Sequence, residues 1–238
     1  MEQKQARRGD RPAPGAFVTL EGIDGAGKST QARLIAAALE RSGRDVLSLR
    51  EPGGSAISEK IRALLLDPAN AGMGDTCELL LYEAARAQLV HEVVGPALAE
   101  GRVVVCDRFY DSTTAYQGFA GSVPREVAER ANGLAVGSCH PDITLVFDLD
   151  PDLAAARMAG RAGAPDRMEA KGLAYQRRVA EGFRAIAREE PGRVRLVDAA
   201  QPVDAVFACA LAELASAGLP VTAEAAREAI AAVGWERA

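Results

Sequence analysis

This 238-residue sequence predicts an α/β fold built on a parallel sheet, on three observations. Five short, mostly apolar runs recur along the chain, each bounded by Gly, Pro, Asp or Arg. Longer stretches with helical spacing of apolar residues lie between them. A glycine-rich string joins the first run to the first helical stretch. Short apolar runs of this kind suit strands buried on both faces. Their alternation with helices suits a parallel sheet with right-handed crossovers.

Residues 1–15 carry Arg7, Arg8, Arg11, Pro12 and Pro14 and read as a floppy leader. The strands are expected at Ala16–Glu21, Asp45–Arg50, Arg102–Asp107, Asp142–Asp148 and Arg193–Asp198. Helices are expected over Lys28–Ser42, Asp75–Glu100 with an interruption near Gly95-Pro96, Pro124–Val136, Asp152–Ala159, Met168–Glu189 and Val203–Ala217. Residues 16–218 then form the main domain. After Gly218-Leu219-Pro220, residues 219–238 read as an extension with one more helix, Ala223–Val233.

Composition narrows the function classes. Hydrophobic residues make up 48% of the chain and charged ones 26%, enough for a sizeable core under an ordinary surface. The formal net charge is −5, which argues against a non-specific binder of nucleic acid or of a membrane surface. Any anionic ligand must then be held by local positive charge. No run approaches the roughly 18 apolar residues that span a bilayer, and the polar start has no secretory pattern. Cys77, Cys106, Cys139 and Cys209 lie far apart and are expected to be reduced core thiols of a cytoplasmic protein. His91 and His140 have no recognisable motif around them.

The strongest chemical signal is Gly22-Ile23-Asp24-Gly25-Ala26-Gly27-Lys28-Ser29, followed by Thr30. It matches G-x-x-x-x-G-K-[ST], and a strand precedes it and a helix follows, as its physics requires. The glycines let backbone N–H groups turn around an anion, and the helix N-terminus adds positive potential. Lys28 would reach the β- and γ-phosphates, and the Ser29 hydroxyl would ligate Mg²⁺. The cradle alone leaves GTPases, motor ATPases and small-molecule kinases open. No N-K-x-D guanine reader occurs, and the third strand ends in Asp107-Arg108 rather than Asp-Glu. An Asp beside an Arg at the carboxyl end of a strand places a metal-side carboxylate next to a cation for a second anionic substrate.

Four motifs in order now resemble the thymidylate kinase family: Gly22–Ser29; Arg50-Glu51-Pro52-Gly53-Gly54; Tyr82-Glu83-Ala84-Ala85-Arg86-Ala87-Gln88; and Asp107-Arg108-Phe109-Tyr110-Asp111-Ser112-Thr113-Thr114-Ala115-Tyr116-Gln117. The resemblance runs from about Phe17 to about Ala208. It implies the nucleoside monophosphate kinase fold, a five-stranded parallel sheet with helices on both faces, in a homodimer. The implied activity is transfer from ATP to dTMP with Mg²⁺, held at Ser29 and Asp107. By resemblance, Tyr82 stacks on the base, where the family usually has Phe, and Arg86 four residues on reads thymine O4. Arg108 binds the acceptor phosphate, Ser112, Thr113 and Gln117 include readers of the base edge, and Tyr116 crowds the sugar 2′ position. Pro52 and Gly53 lie beside the acceptor sugar, and Asp24 holds its 3′-hydroxyl or orders metal-bound water.

Residue 25 is Gly, so the cradle offers no Arg of its own, and the family's bacterial branch draws one from a lid at about 157–168. Arg161 is expected to reach the transferring phosphate, and Arg157 to neighbour the ATP base or phosphates. Arg167 is expected to pair with Asp166 or Glu169. The segment Asp198-Ala199-Ala200-Gln201 is a candidate wall for adenine on family grounds. No general base is needed, because an acceptor phosphate is already ionised near neutral pH. Two rivals stand beside this reading: a kinase for another acceptor such as dUMP, dCMP or a nucleoside, and a nucleotide-binding regulator without transfer chemistry.

Overall fold

The computed structural model describes residues 15–160 and 166–234. Five strands, β1 (Ala16–Glu21), β2 (Val46–Arg50), β3 (Val103–Asp107), β4 (Ile143–Asp148) and β5 (Val194–Asp198), form one parallel sheet in the order β2-β3-β1-β4-β5. All five lie within a residue of their expected bounds. β1 is central and buried from Phe17 onward, which explains its unbroken apolar character.

Alternation along the strands divides the core between the two faces. Phe17, Val104 and Cys106 point to one face and pack with Leu89, Val94, Ala97 and Phe109. Val18, Leu20, Val103 and Val105 point to the other and join the larger cluster. Helices α1 (Lys28–Arg41), α8 (Leu173–Glu189) and α9 (Val203–Ser216) carry much of that larger cluster. The helix of the C-terminal extension, α10 (Ala223–Val233), packs along α1 and places Ala229 in the same cluster. Of the four thiols only Cys106 is buried; Cys77 and Cys209 are exposed, so the expectation of core thiols is corrected for those two.

The remaining helices are α2 (Ala56–Leu66), α3 (Asp75–Leu89), α4 (Gly95–Ala99), α5 (Tyr110–Thr113), α6 (Arg125–Val136) and α7 (Pro151–Ala159). A π-turn over Val90–Val94 bridges α3 to α4, just ahead of the expected interruption. A second one, Thr114–Ala120, continues α5. The expected helix from Met168 begins only at Leu173, because Gly172 has φ +82° and ends the short 3₁₀ turn Glu169–Lys171. α2 was not expected. Ser55 caps it by accepting from the Ser58 N–H at 3.3 Å.

Strand register places the site. Leu20 pairs with Asp107 and Arg50 pairs with Asp107, so β1, β2 and β3 end level with one another. The segments that leave them, from Gly22, Glu51 and Arg108, therefore converge on one crevice, as open α/β sheets arrange their ligand sites.

Candidate active site

At the carboxyl end of β1 the chain turns sharply. Gly22 has φ +135°, and a Cβ there would lie 2.6 Å from the Phe147 carbonyl oxygen. Gly27 has φ +89° and caps α1, with its carbonyl accepting from Thr30 and Gln31 N–H at 3.1 Å each. Lys28 folds back over this loop, and its Nζ donates to the Ile23 carbonyl at 2.8 Å. Burial, and then the neighbouring Arg108, lower its pKa to about 8. The Ser29 hydroxyl donates to Asp107 Oδ2 at 2.5 Å, so a hydroxyl and a carboxylate stand together at the mouth of the loop.

Arg108 is the hub. Its φ of +73° is rare for a residue with a side chain, and the surroundings hold it there. Its N–H donates to the Leu20 carbonyl at 2.9 Å, while buried Glu21 accepts from the Phe109 N–H at 2.7 Å, the Ser112 N–H at 3.1 Å and the Ser112 hydroxyl at 2.6 Å. The guanidinium donates to the Gly22 carbonyl and Ser112 Oγ at 3.0 Å, pairs with Asp24, and stacks 5.2 Å from the Tyr116 ring centroid. Burial works against the charge of Asp24, but Arg108 and then Lys28 outweigh it, so its pKa is lowered. Glu21 has no such dominant partner: burial, and then Asp111, raise its pKa to about 7.

Lys28, Ser29, Asp107, Arg108 and Asp24 line a cavity of about 540 Å³, a size suited to small ligands. Its lining includes Asp24, Gly25, Gly27, Lys28, Ser29 and Thr30 of the glycine-rich loop with Asp107 and Arg157, and also Pro52, Tyr82, Ser112, Thr113, Tyr116 and Gln117; Arg108 touches both sets, pairing with Asp24 and stacking on Tyr116. Arg157 Nη2 also donates to the Ala199 carbonyl at 3.1 Å, which ties the wall to the Asp198–Gln201 segment. Gly22, Ile23 and Ala26 form the back of the loop and do not line the cavity.

The structure corrects several expected positions. Arg86 is not on the cavity wall beside Tyr82. It is 1% exposed, and its donors go to Glu51, Glu83, Asn132 and the Phe109 carbonyl. The carboxylates delivered by the β2 exit and by α3 itself outcompete the cavity for its charge. Burial opposes that charge, but Glu51 and Glu83 hold the Arg86 pKa above the ordinary value. Gly53 also stays off the wall, with Glu59 Oε1 2.5 Å from where its Cβ would be. Arg167 does form a structural ion pair, but with Glu78, while also donating to the Leu65 carbonyl at 2.7 Å. Arg161 lies outside the described residues.

Sequence reasoning missed Arg62 and Leu66, which reach the cavity from α2, and Met168. Arg62 Nη1 donates to the Pro52 carbonyl at 2.8 Å, and the Glu51-Pro52 bond before that residue is cis. The Ser55-Ala-Ile-Ser58 start of α2 was the available signal for these residues. Glu21 was also missed; it carries no motif of its own beyond preceding Gly22.

Known proteins match the stretch of chain that carries this site. The family model described as Thymidylate kinase matches residues 20–209. A thymidylate kinase of Symbiobacterium thermophilum is 47% identical over 190 residues, covering 80% of this chain and 88% of that one. A thymidylate kinase of Trichlorobacter lovleyi is 44% identical over 211 residues, covering 86% and 100%. The crystal structure of thymidylate kinase from Ehrlichia chaffeensis superposes with a TM-score of 0.69 at 30% identity, over 85% of this chain and 99% of that one. The phosphate cradle, the Asp107-Arg108 strand end and the β2-β3-β1-β4-β5 sheet thus sit in a chain that belongs to the thymidylate kinase family.

Proposed function

We propose that this protein transfers the γ-phosphoryl group of ATP to dTMP, giving ADP and dTDP. One observation carries the reading: a single cavity is lined both by the phosphate cradle and by aromatic and amide side chains, and Arg108 touches both through Asp24 and Tyr116. Lys28, the loop N–H groups and the α1 N-terminus receive the triphosphate. Arg108 receives the acceptor phosphate in exchange for part of its bond to Asp24, and Asp24 is then released toward the sugar hydroxyl. Tyr82 offers a ring face to the base, and Thr113 and Gln117 offer its edge polar partners. The acceptor phosphate oxygen attacks the γ-phosphorus in line, and the work of the chain is positioning and charge neutralisation.

Ser29 Oγ and the Asp107 carboxylate are both oxygen donors, which suits a hard cation, so these two residues would hold Mg²⁺. When bound, the ion neutralises charge on the β- and γ-phosphate oxygens. Arg157 supports the donor side, and Arg161 is the further cation on sequence grounds.

The protein acts as a homodimer in this reading. Ile57 and Leu64 on α2, Leu80 on α3, and Val127 and Leu134 on α6 are exposed, and these three helices pack side by side. Each pair on one helix is spaced i, i+7, so the side chains form outward stripes suited to a second copy. A cytoplasmic location agrees with this chemistry, and among the described residues no helix is long and apolar enough to cross a membrane.

The deciding experiment is an acceptor panel of dTMP, dUMP, dCMP and thymidine with ATP and Mg²⁺, quantifying ADP and the diphosphate product together. Preferred formation of dTDP is expected. A preference for dCMP, or ATP binding with no acceptor-dependent ADP, would replace this reading with one of the two rivals.

A further inference from the structure

Behind the cavity wall at Gln117 lies a carboxylate that does not itself line the cavity. Glu78, on α3, is 1% exposed. Its Oε1 accepts from Gln117 Nε2 at 2.7 Å and from Lys171 Nζ at 2.9 Å; its Oε2 accepts from Lys171 at 3.0 Å and from Arg167. Gln117 is 3% exposed and lines the cavity. The backbone beside it is pinned as well, because the Tyr175 hydroxyl donates to the Tyr116 carbonyl at 2.7 Å.

A glutamine amide has one accepting end and one donating end. A carboxylate held by two cations can only accept, so the nitrogen of Gln117 must face Glu78. The carbonyl is the end left for a ligand. We propose that Glu78 is a specificity-positioning residue: by taking the Gln117 nitrogen it turns the Gln117 carbonyl to the cavity, so the site favours a pyrimidine with an N–H at N3 over one with a lone pair there. Thymine and uracil carry that donor, and cytosine opposes the carbonyl with its own lone pair, leaving both unpaired. Burial alone would raise the pKa of Glu78, but the bonds from Lys171, Gln117 and Arg167 hold it below the ordinary value, which keeps it an acceptor. The inference rests on the thymidylate reading above and adds what fixes the amide.

The test compares kcat/KM for dTMP and dCMP in the wild type, in Glu78→Gln, and in the exchanged double variant Glu78→Gln/Gln117→Glu. In Glu78→Gln the partner at position 78 can donate as well as accept, so the Gln117 amide is free to turn over. The dTMP:dCMP ratio is expected to fall by about tenfold or more, mainly through a higher KM for dTMP, with KM for ATP within about twofold. The exchanged variant again places an acceptor-only group at 117, and its ratio is expected to return to within about threefold of wild type. A merely structural role for Glu78 predicts no such return. A folded Glu78→Gln that keeps the wild-type ratio, or an exchanged variant no more selective than Glu78→Gln, overturns the proposal.

Should Glu78→Gln fail to fold, the wild type decides with 3-methyl-dTMP, which lacks the N3 donor. A loss of about tenfold or more in kcat/KM supports a cavity-facing carbonyl, and turnover equal to dTMP overturns it. If the wild type does not use dTMP at all, the thymidylate reading itself has failed, which is a distinct result.

Discussion

Two buried cations of this protein do different work, and their surroundings separate them. Lys28 faces the cavity with one carbonyl partner, so its charge is available to a ligand. Arg86 is closed in by two carboxylates. Lys28→Ala is expected to abolish phosphoryl transfer while thermal unfolding stays cooperative, as read by ADP release and calorimetry; surviving turnover would refute the cradle. Arg86→Ala strands two buried carboxylates and is expected to cost about 3–5 kcal/mol in urea unfolding. A loss near zero would mean that the Glu51 and Glu83 contacts carry little. The lowered pKa of Lys28 also sets a pH limb. If, as proposed, the Lys28 ammonium receives the triphosphate, affinity for ATP is expected to weaken as pH rises through about 8, measured by calorimetric titration. The folded amine releases its proton before the unfolded one does. Its penalty on folding is therefore full below pH 8 and fades between about 8 and 10.5.

At the scale of elements, α2 shows how a short helix reaches into the site. Its N-terminus is tied by Ser55, whose hydroxyl also lies 2.9 Å from that of Ser58, and Ser58 Oγ donates to the Ala85 carbonyl of α3 at 2.8 Å. The helix carries Arg62 and Leu66 to the cavity. Ser55→Ala is expected to lower stability by about 1 kcal/mol in denaturant unfolding. No measurable change would show that the contacts of α2 with α3 hold it without the cap. The segment after β3 is the other such element. Glu21, at the end of β1, accepts from both Phe109 and Ser112, so the two neighbouring strands jointly fix the turn that carries Arg108.

At the scale of the whole molecule, a chain of net charge −5 handles two anionic nucleotides by concentrating cations in one crevice. Lys28, Arg50, Arg62, Arg108 and Arg157 all line it. The same scale contains the outward apolar stripes of α2, α3 and α6. Leu134 is 88% exposed, and Leu134→Glu combined with Leu80→Glu is expected to give a monomer in light scattering where the wild type gives a dimer. An unchanged mass for the double variant would place the interface elsewhere.

The sequence by itself determined the strand-and-helix alternation, the phosphate cradle and the Asp107-Arg108 strand end. Each of these depends on local periodicity or on fixed spacing along the chain. The edges of all five strands were legible to within a residue because Gly, Pro, Asp and Arg punctuate them. The helical pattern of α2 was not legible, since four of its seven apolar residues face outward, and only its serine cap marked its start. Only the tertiary structure decided which polar side chains reach the cavity. Arg86 and Gln117 both belong to readable motifs, yet one turns inward to Glu51 and Glu83 while the other is held at the wall by Glu78. Glu51 and Glu78 lie 35 and 39 residues from the side chains they hold, while Glu83 sits one helical turn from Arg86. Competition among such partners is settled by three-dimensional proximity, which no spacing along the chain expresses.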